Sequence, residues 1–457
     1  MKALYLSAAH KSSGKTTVTL GLCAAYAARG FSIAPFKKGP DYIDPMWLAM
    51  AAGLPCHTLD FYTMEEEEIL QRYHQERNGA DLVLVEGNKG LYDGLSLDGS
   101  DSNGAMAKLL DLPVVLVINT NGITRGVAPL LLGYQQFDPE IQFAGVILNQ
   151  TGNSRHEQKL QQVVEHYTDF PVLGTIRRHS DLEIVERHLG LVPSNEADAA
   201  RNKIESIRKV VEAQVDLDRL LTVSKPLEEP VVVEKTLITE VVSPPVPDLR
   251  IGIARDEAFG FYYAADLEAF SQAGAELVPF SPIHDAELPE VDGLLFGGGF
   301  PETHMAPLEQ NRKMRRQILE AVESGMPVYA ECGGLMYLSR SIEWQGRSSE
   351  MVGAVAADCK MHKRPQGRGY ARFSRDGREE IPAHEFHYSS LEGLPSNTEF
   401  AHTIHRGVGI DGKRDGVVYK NLLAGYVHQR NTRLNPWVKE FVDRVRNVRS
   451  TNGKEPS

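Results

Sequence analysis

The sequence lacks the features that are typical of secreted, membrane-spanning and nucleic-acid-binding proteins. It contains no unbroken apolar run of 18 residues and begins with no charged-then-apolar leader segment. Its four cysteines form no C-x-x-C pair, which fits a reducing compartment and excludes a disulfide framework. A formal net charge of −12 argues against nucleic acid as the main partner. We therefore expect a cytoplasmic protein without a membrane partner.

The size and composition of the chain indicate a globular protein with more than one core. Its 457 residues exceed what a single hydrophobic core usually supports. Apolar residues make up 42% of the chain and charged residues 24%, which are ordinary values for folded domains. The sequence therefore predicts two domains, or three.

Residues 7–17, SAAHKSSGKTT, follow a short apolar run and have the pattern of a phosphate-binding loop. In such a loop, backbone N–H groups and a lysine hold nucleotide phosphates while a hydroxyl reaches Mg²⁺. Gly14, Lys15 and Thr16 would take these roles. Ala9 stands where the usual pattern has its first glycine, so a simple helix-capping turn is the alternative interpretation.

Apolar runs at residues 33–36, 82–86, 114–118 and 144–148 alternate with helical patterns, which indicates a parallel sheet covered on both faces. Ligands bind at the carboxyl ends of such strands. The polar residues that follow the strands are Asp41, Asp44, Glu86, Asp93 and Asn149. Carboxylates beside phosphates suit Mg²⁺, although each aspartate alone is also typical of a turn.

A second α/β series begins at residue 249, after a stretch rich in Pro, Val and Glu that is typical of a linker. Within it, the segment PVYAECGGLMYL predicts a strand, a sharp turn at Cys332 and a helix, the layout of a nucleophile elbow. The helix N-terminus is expected to lower the pKa of the Cys332 thiol. These features favour a thiolate nucleophile over an inert buried cysteine.

A thiolate nucleophile needs a base and a site for the oxyanion. Glycines 297–299 follow an apolar strand and offer backbone N–H groups. His428 ends another apolar strand and is a candidate base, with His387 as its competitor. The H-E-x-H spacing at residues 384–387 differs from that of zinc enzymes, so no metal is expected there. Alternating runs between residues 351 and 427 predict antiparallel strands.

The ordered motifs along nearly the whole chain resemble those of the cobyrinic acid a,c-diamide synthases. The motifs are SSGKTT, KKGPDYIDP, VEGNKGLYDG, ITRGVAPLLLG, AGVILNQTGNSRH, ERHLGLVP, GGGFPE, ECGGLMYL and HEFHYS. The resemblance implies two α/β domains: an N-terminal P-loop NTPase domain, similar to dethiobiotin synthetase, and a C-terminal class I glutamine-amidotransferase-like domain. The expected boundaries are 1–200 for the amidoligase domain, 201–247 for a helix and linker, 248–447 for the glutaminase domain and 448–457 for a disordered tail.

The resemblance also implies an activity, which is the ATP- and glutamine-dependent amidation of acetate carboxylates a and c of a tetrapyrrole. Cys332 would attack glutamine with His428 as base, and Gly298 and Gly299 would bind the oxyanion. Gly14, Lys15, Thr16, Thr17 and Asn149 would bind ATP. Mg²⁺ would be held by Thr16, Asp41 and Glu86, and the substrate would contact Tyr42, Asp44 and Asp93. Ammonia would travel along a closed path between the domains.

The sequence departs from the family pattern at several positions. Gln429 and Arg430 follow His428 where related enzymes carry a carboxylate, so a Cys–His dyad is expected. Tyr62, Asn88, Lys89 and Asn119 replace the usual residues of the synthetase half. The alternatives are therefore sirohaem, sirohydrochlorin or its nickel form as substrate, and a P-loop ATPase scaffold that has lost its chemistry.

Two further expectations concern partners. Lys89 and Arg125 are candidates for holding the substrate carboxylates, because an acidic protein needs local cations to bind a polycarboxylate. The oligomeric state stays open, with a homodimer as one alternative.

Overall fold

The computed structural model describes residues 1–179, 182, 186–187, 190–191, 197–227, 245–375, 377 and 379–452. The chain forms two compact units, Met1–Thr239 and Glu240–Ser457. Their division falls within the predicted linker, most of which lies outside the described residues, as does part of the ERHLGLVP motif. Among the described residues, no helix is both long and apolar enough to cross a membrane.

The first unit is built on a sheet of the order β3-β2-β4-β1-β5-β6-β7, in which all neighbours are parallel. Its strands are β1 Lys2–Ala8, β2 Ile33–Lys38, β3 His57–Leu59, β4 Leu82–Glu86, β5 Val114–Asn119, β6 Phe143–Thr151 and β7 Val172–Arg177. Two short strands, β8 Glu186–Arg187 and β9 Gly190–Leu191, pair with each other, and β10 Lys225–Pro226 runs antiparallel to β1. All residues of β4 are buried. The predicted parallel sheet is confirmed.

The helices of the first unit are α1 Lys15–Ala28, α2 Ile43–Ala52, α3 Glu66–Glu76, α4 Asn103–Leu109, α5 Val127–Phe137, α6 Ser154–Tyr167, α7 Ala197–Gln214 and α8 Leu217–Val223. Helix α7 packs on α1 at Gly21, where a Cβ atom would lie 2.3 Å from Val211. The Tyr26 hydroxyl donates a hydrogen bond to the Leu217 carbonyl. Residues 201–226 therefore belong to the first unit, whereas the sequence analysis placed them between the domains.

The second unit has a mixed sheet of the order β13-β11-β14-β16-β25-β24-β23-β20-β21. Its strands are β11 Leu249–Ala254, β13 Ala275–Phe280, β14 Gly293–Phe296, β16 Val328–Glu331, β20 Gly367–Arg375, β21 Ile381–His387, β23 Glu399–Arg406, β24 Arg414–Tyr419 and β25 Leu422–Gly425. The strands from β13 to β25 are parallel, and those from β25 to β21 are antiparallel. The predicted antiparallel extension is confirmed.

Two smaller sheets, five α-helices and a 3₁₀ helix, Pro301–His304, complete the described part of the second unit. Strand β12 Phe259–Phe261 pairs with β15 Gly298–Gly299, and β17 Ser341–Trp344, β18 Arg347–Glu350, β19 Asp358–Met361 and β22 Ser389–Glu392 form the other sheet. The helices are α9 Ala264–Gln272, α10 Met305–Gln310, α11 Arg312–Glu323, α12 Gly333–Leu338 and α13 Trp437–Asn452.

Helix α13 overturns part of the predicted disordered tail. Val438, Val442 and Val445 recur at helical spacing and are fully buried in a core cluster with Ile251 of β11. The helix continues to Asn452, so residues 448–452 are ordered helix, and residues 453–457 lie outside the described residues.

Candidate active sites

The loop between β1 and α1 has the backbone of a phosphate-binding loop. Gly14 takes the N-cap position of α1 with φ +82°, a left-handed conformation that favours glycine. A Cβ atom at Gly14 would also lie 2.2 Å from Nδ2 of Asn149. That amide donates a hydrogen bond to the Ser13 carbonyl at 2.9 Å. Asn149, predicted to contact the nucleotide, thus holds the loop itself.

Lys15 extends from the loop into a largely buried position. Its Nζ donates a hydrogen bond to the Lys89 carbonyl at 3.0 Å, and Lys89 has the left-handed φ of 52°. Burial, with a further contribution from the charge of Lys37, lowers the pKa of Lys15 to about 8. A phosphate group beside this ammonium would favour its charged form.

Thr16, Lys37, Asp44 and Glu86 form a compact polar cluster at the carboxyl ends of β2 and β4. The Thr16 hydroxyl lies 2.7 Å from Oε1 of Glu86 and 3.2 Å from Oδ2 of Asp44. The Lys37 ammonium contacts the same two oxygens at 2.7 and 2.5 Å. Although burial alone would lower the pKa of Lys37, the two carboxylates raise it well above its ordinary value. Lys37 was not predicted as a site residue. The only indication of its role in the sequence was its position at the end of an apolar strand.

Asp41 and Asp44 differ from their expected roles, in which Asp41 was a Mg²⁺ ligand and Asp44 contacted the substrate. Oδ1 of Asp41 accepts hydrogen bonds from the backbone N–H groups of Ile43 and Asp44, as in a turn at the start of a helix. Burial raises the pKa of Asp41, whereas Lys37 lowers that of Asp44 despite its burial. Asp44, not Asp41, therefore faces the Thr16 hydroxyl as a carboxylate.

The other residues predicted for this half make separate local contacts. Tyr42 is buried at the N-cap position of α2. Asp93 is exposed and accepts a hydrogen bond from the Gly90 N–H at 2.9 Å, which closes the turn after β4. Arg125 is exposed with its guanidinium 5.1 Å from the centre of the Tyr167 ring.

A cleft of about 120 Å³ adjoins the phosphate-binding loop. It is lined by Gly14, Thr17, Val18, Asn149, Gln150, Ile176, Arg177, Arg178, His179, Leu182 and Val211. The predicted nucleotide-binding residues Thr17 and Asn149 thus border one concave surface.

Cys332 occupies a sharp turn between β16 and α12, as predicted. Its backbone has φ 47° and ψ −100°, a strained conformation for a residue with a side chain. The glycines that follow permit close packing, because a Cβ atom at Gly333 would lie 2.8 Å from the Gly299 nitrogen and one at Gly334 2.6 Å from the Phe296 oxygen. This geometry confirms the nucleophile-elbow layout.

The expected lowering of the Cys332 pKa is wrong. Burial, followed by the charges of Glu302 and Glu331, raises the pKa of the thiol far above its ordinary value. The backbone N–H of Gly333 favours the thiolate, but α12 has only six residues and does not offset the loss of water. The resting residue is therefore a thiol that needs a base.

Gly299 packs against the Cys332 turn, and the adjacent Gly298 lies next to His428. Gly298 and Gly299 form β15, and an ideal Cβ atom on Gly298 would lie 3.0 Å from Cε1 of His428. The neighbouring Gly297 N–H donates to the Tyr262 hydroxyl. The candidate oxyanion donors and the candidate base are thus brought to one place.

His428 is buried and rigidly held, whereas its competitor His387 is engaged elsewhere. The His428 backbone N–H donates to the His384 carbonyl at 2.8 Å, and the two rings stack with centroids 4.9 Å apart. Nδ1 of His428 lies 3.3 Å from Oε2 of Glu331, a contact that sequence reasoning did not identify. The His387 ring stacks on Tyr426, with Nδ1 2.8 Å from the Ser389 carbonyl.

Comparison with known proteins identifies the family of the chain. Residues 8–192 match the CobQ/CobB/MinD/ParA nucleotide binding domain, and residues 250–433 match the CobB/CobQ-like glutamine amidotransferase domain. The cobyrinate a,c-diamide synthase of Magnetococcus marinus is 44% identical, with 93% of each chain covered. That of Methanosarcina acetivorans is 41% identical, with 93% of this chain and 91% of the other covered. The chain belongs to the cobyrinate a,c-diamide synthase family.

Membership of the cobyrinate a,c-diamide synthase family confirms the predicted fold class, a P-loop domain followed by a glutamine amidotransferase domain. It also confirms the predicted enzyme class, a glutamine-hydrolysing carbon–nitrogen ligase. One departure from the family pattern has a local structural role, because Oδ1 of Asn119 accepts the backbone N–H of Asn121.

Proposed function

We propose that the protein amidates the a and c acetate carboxylates of a cobyrinate-type tetrapyrrole, using MgATP and ammonia from glutamine. The observation that carries this proposal is the occurrence of two candidate reaction sites in one chain. The first has Lys15, Thr16, Lys37 and Glu86 around a phosphate-binding loop. The second has Cys332 at a nucleophile elbow beside His428. The similarity to the synthases over more than nine-tenths of both chains supports the same reaction.

In the second unit, glutamine would be hydrolysed through a thioester. His428 removes the Cys332 thiol proton, and Sγ attacks the amide carbon of glutamine. The N–H groups of Gly298 and Gly299 stabilise the oxyanion that forms. The proton passes from His428 to the departing nitrogen, the C–N bond breaks and ammonia leaves. Water then hydrolyses the thioester to glutamate.

In the first unit, a substrate carboxylate oxygen would attack the γ-phosphorus of ATP, and ADP would leave. Ammonia then attacks the carbonyl carbon of the acyl phosphate, and phosphate departs to give the amide. This chemistry depends on charge neutralisation and in-line placement. Lys15 and the loop N–H groups bind the phosphates, while Lys37 balances the buried charges of Asp44 and Glu86.

The residues beside the phosphate-binding loop fit Mg²⁺. Oε2 of Glu86 is buried and has no hydrogen-bond partner among the described residues, while its Oε1 accepts from Thr16. A hydroxyl and carboxylates are the hard oxygen ligands that this ion prefers. We propose Thr16, Glu86 and Asp44 as its ligands, with Asp41 positioning Asp44. When bound, Mg²⁺ neutralises charge on the phosphate oxygens.

The remaining predictions about partners and location form part of this proposal. The charge of −12 supports a protein that does not bind nucleic acid. Action in the cytoplasm and assembly as a homodimer stay predictions from the sequence.

Mass spectrometry of amidation reactions would test the proposal. Cobyrinic acid, sirohydrochlorin, nickel sirohydrochlorin and sirohaem would be incubated in parallel with enzyme, MgATP and glutamine. We expect cobyrinic acid to lose about one mass unit for each of two carboxylates, because NH₂ replaces OH and the exchange requires ATP. Product from a sirohydrochlorin or sirohaem alone would show that the alternative substrate is correct. Glutamine hydrolysis without any amide product would reject a tetrapyrrole acceptor.

A further inference from the structure

The carboxylate of Glu331 faces the base of the glutaminase site. Glu331 is the last residue of β16 and directly precedes Cys332. Its Oε2 lies 3.3 Å from Nδ1 of His428, and both residues are buried, with 6% and 3% of their surfaces exposed. Hydrogen bonds at catalytic histidines are commonly somewhat long before substrate binds. A buried carboxylate in this position acts on the imidazole with little screening by water.

A separate set of hydrogen bonds fixes the other oxygen of this carboxylate. Oε1 of Glu331 accepts from the Tyr329 hydroxyl at 2.6 Å and from the Gln429 backbone N–H at 2.8 Å. The Gln429 side-chain amide donates to the same Tyr329 hydroxyl at 2.7 Å. Arg375 in turn binds Oε1 of Gln429. Because these partners occupy Oε1, the carboxylate is oriented with Oε2 toward His428.

This orientation has a chemical consequence for the imidazole. The contact of Oε2 with Nδ1 is an electrostatic one and not a formed hydrogen bond. A carboxylate beside Nδ1 favours the tautomer that carries its proton on Nδ1, so Nε2 is the nitrogen that can remove a proton from a thiol. The same negative charge stabilises the imidazolium that forms when the thiol is deprotonated. The structure therefore places a carboxylate, that of Glu331, beside the base. The two residues that follow His428 in the sequence provide none.

We propose that Glu331 is the positioning residue of a Cys332–His428–Glu331 triad, in which the acid directly precedes the nucleophile instead of following the histidine. The inference rests on the proposed glutaminase activity. It replaces the Cys–His dyad expected from the sequence, in which Gln429 and Arg430 occupy the positions after the base.

Glu331→Gln tests this role with little change in shape. The glutamine can still accept through one oxygen, but its NH₂ group would face Nδ1 and favour the wrong tautomer of His428. We expect kcat for glutamine hydrolysis, measured with MgATP present, to fall by about 100-fold or more while KM for glutamine changes less than about threefold. Glu331→Asp retains the charge and should recover part of kcat. Amidation supported by ammonium chloride should keep its wild-type rate.

Controls separate failure of this inference from failure of the proposed function. Asp256→Asn changes another carboxylate of this unit that binds Ala258, Ser281 and Ile283, and should keep kcat within about threefold. If Cys332→Ala abolishes glutamine hydrolysis but Glu331→Gln leaves kcat within threefold, the triad is wrong and the glutaminase assignment stands. If Cys332→Ala hydrolyses glutamine normally, the proposed function itself fails.

If Glu331→Gln does not fold, a second variant, Tyr329→Phe, tests the proposal. Tyr329→Phe removes one hydrogen bond to Oε1 without altering the charge opposite His428. We expect kcat for glutamine hydrolysis to fall about three- to tenfold at constant KM, since the carboxylate loses part of its orientation. An unchanged kcat in this variant would overturn the proposal.

Discussion

Nζ of Lys37 lies 2.7 Å from Oε1 of Glu86, and the two side chains have only 2% and 0% of their surfaces exposed. The same ammonium contacts Asp44. Buried charges of this kind are stable only as a set, because each ion loses its hydration and depends on the others for compensation. The cluster therefore serves the stability of the first unit as well as the chemistry proposed for it.

Removal of the buried cation should destabilise the first unit. We expect Lys37→Met to lower its free energy of unfolding by about 3–5 kcal/mol, because Glu86 and Asp44 would be left as uncompensated buried charges. Hydrogen exchange of β4 amides in the full-length protein measures this opening. The double variant Lys37→Met, Glu86→Gln should recover part of the loss. Equal exchange in wild type and Lys37→Met would contradict the prediction.

Asp44 and Asp41 should differ in their effect on Mg²⁺. Asp44 shares the Thr16 hydroxyl with Glu86, whereas Asp41 binds backbone N–H groups that an asparagine could also bind. We expect Asp44→Asn to raise the Mg²⁺ concentration for half-maximal ammonia-supported amidation by about tenfold or more, and Asp41→Asn to raise it less. A larger effect of Asp41→Asn would restore the assignment implied by the sequence.

The two reaction sites should be separable by substitution. Cys332→Ala should abolish amidation supported by glutamine and spare amidation supported by ammonium chloride, since the synthetase site does not use the thiol. Lys15→Ala should abolish both, because phosphate binding is lost. The amide product is measured by mass spectrometry with each nitrogen source. Full glutamine-dependent activity of Cys332→Ala would exclude this residue as the nucleophile.

The resting cysteine should react slowly with alkylating reagents. Burial raises the pKa of Cys332 and also those of Cys23, Cys56 and Cys359. At pH 8 we expect iodoacetamide to modify Cys332 at least about tenfold more slowly than free cysteine, because the thiolate is the reactive form. Peptide mass spectrometry identifies the modified residue. Rapid modification of Cys332 would show instead that the end of α12 stabilises the thiolate.

Asp266 should make the second unit less stable as the pH rises. It is buried, accepts hydrogen bonds from Asn431 and Trp437, and has a pKa raised to about 7, chiefly by burial. Between pH 4 and 7 the folded carboxyl keeps a proton that the unfolded carboxyl has lost. Stability should therefore fall over this range by up to about 4 kcal/mol.

Comparison with Asp266→Asn isolates this contribution. The variant cannot titrate at this position, so its unfolding midpoint should fall less than that of the wild type between pH 5 and 7. The fluorescence of Trp437, whose indole N–H binds Asp266, follows the transition. Identical pH dependence in the two proteins would contradict the raised pKa.

Local sequence patterns were sufficient to predict the main elements and the two strand–turn–helix segments that carry Lys15 and Cys332. Apolar runs predicted the parallel strands, because a strand covered on both faces must be apolar throughout. The segment around Gly14 and the turn at Cys332 were identifiable because their glycines, Lys15 and Thr16 are adjacent in sequence. Ordered motifs were specific enough to indicate the family, which the curated relatives confirm.

The environment of each site was decided by tertiary structure. Glu331 meets His428 because β16 pairs with β25, although the antiparallel strands separate them in sequence. Lys37 meets Glu86 because β2 pairs with β4 in a register that places these two residues opposite each other. The pKa of Cys332 rises because the fold excludes water from the turn. The sequence determines which chemical groups are present. Strand pairing and burial determine which of these groups meet and which charges they carry. Strand pairing and burial could not be predicted locally, because they depend on residues far apart in the chain.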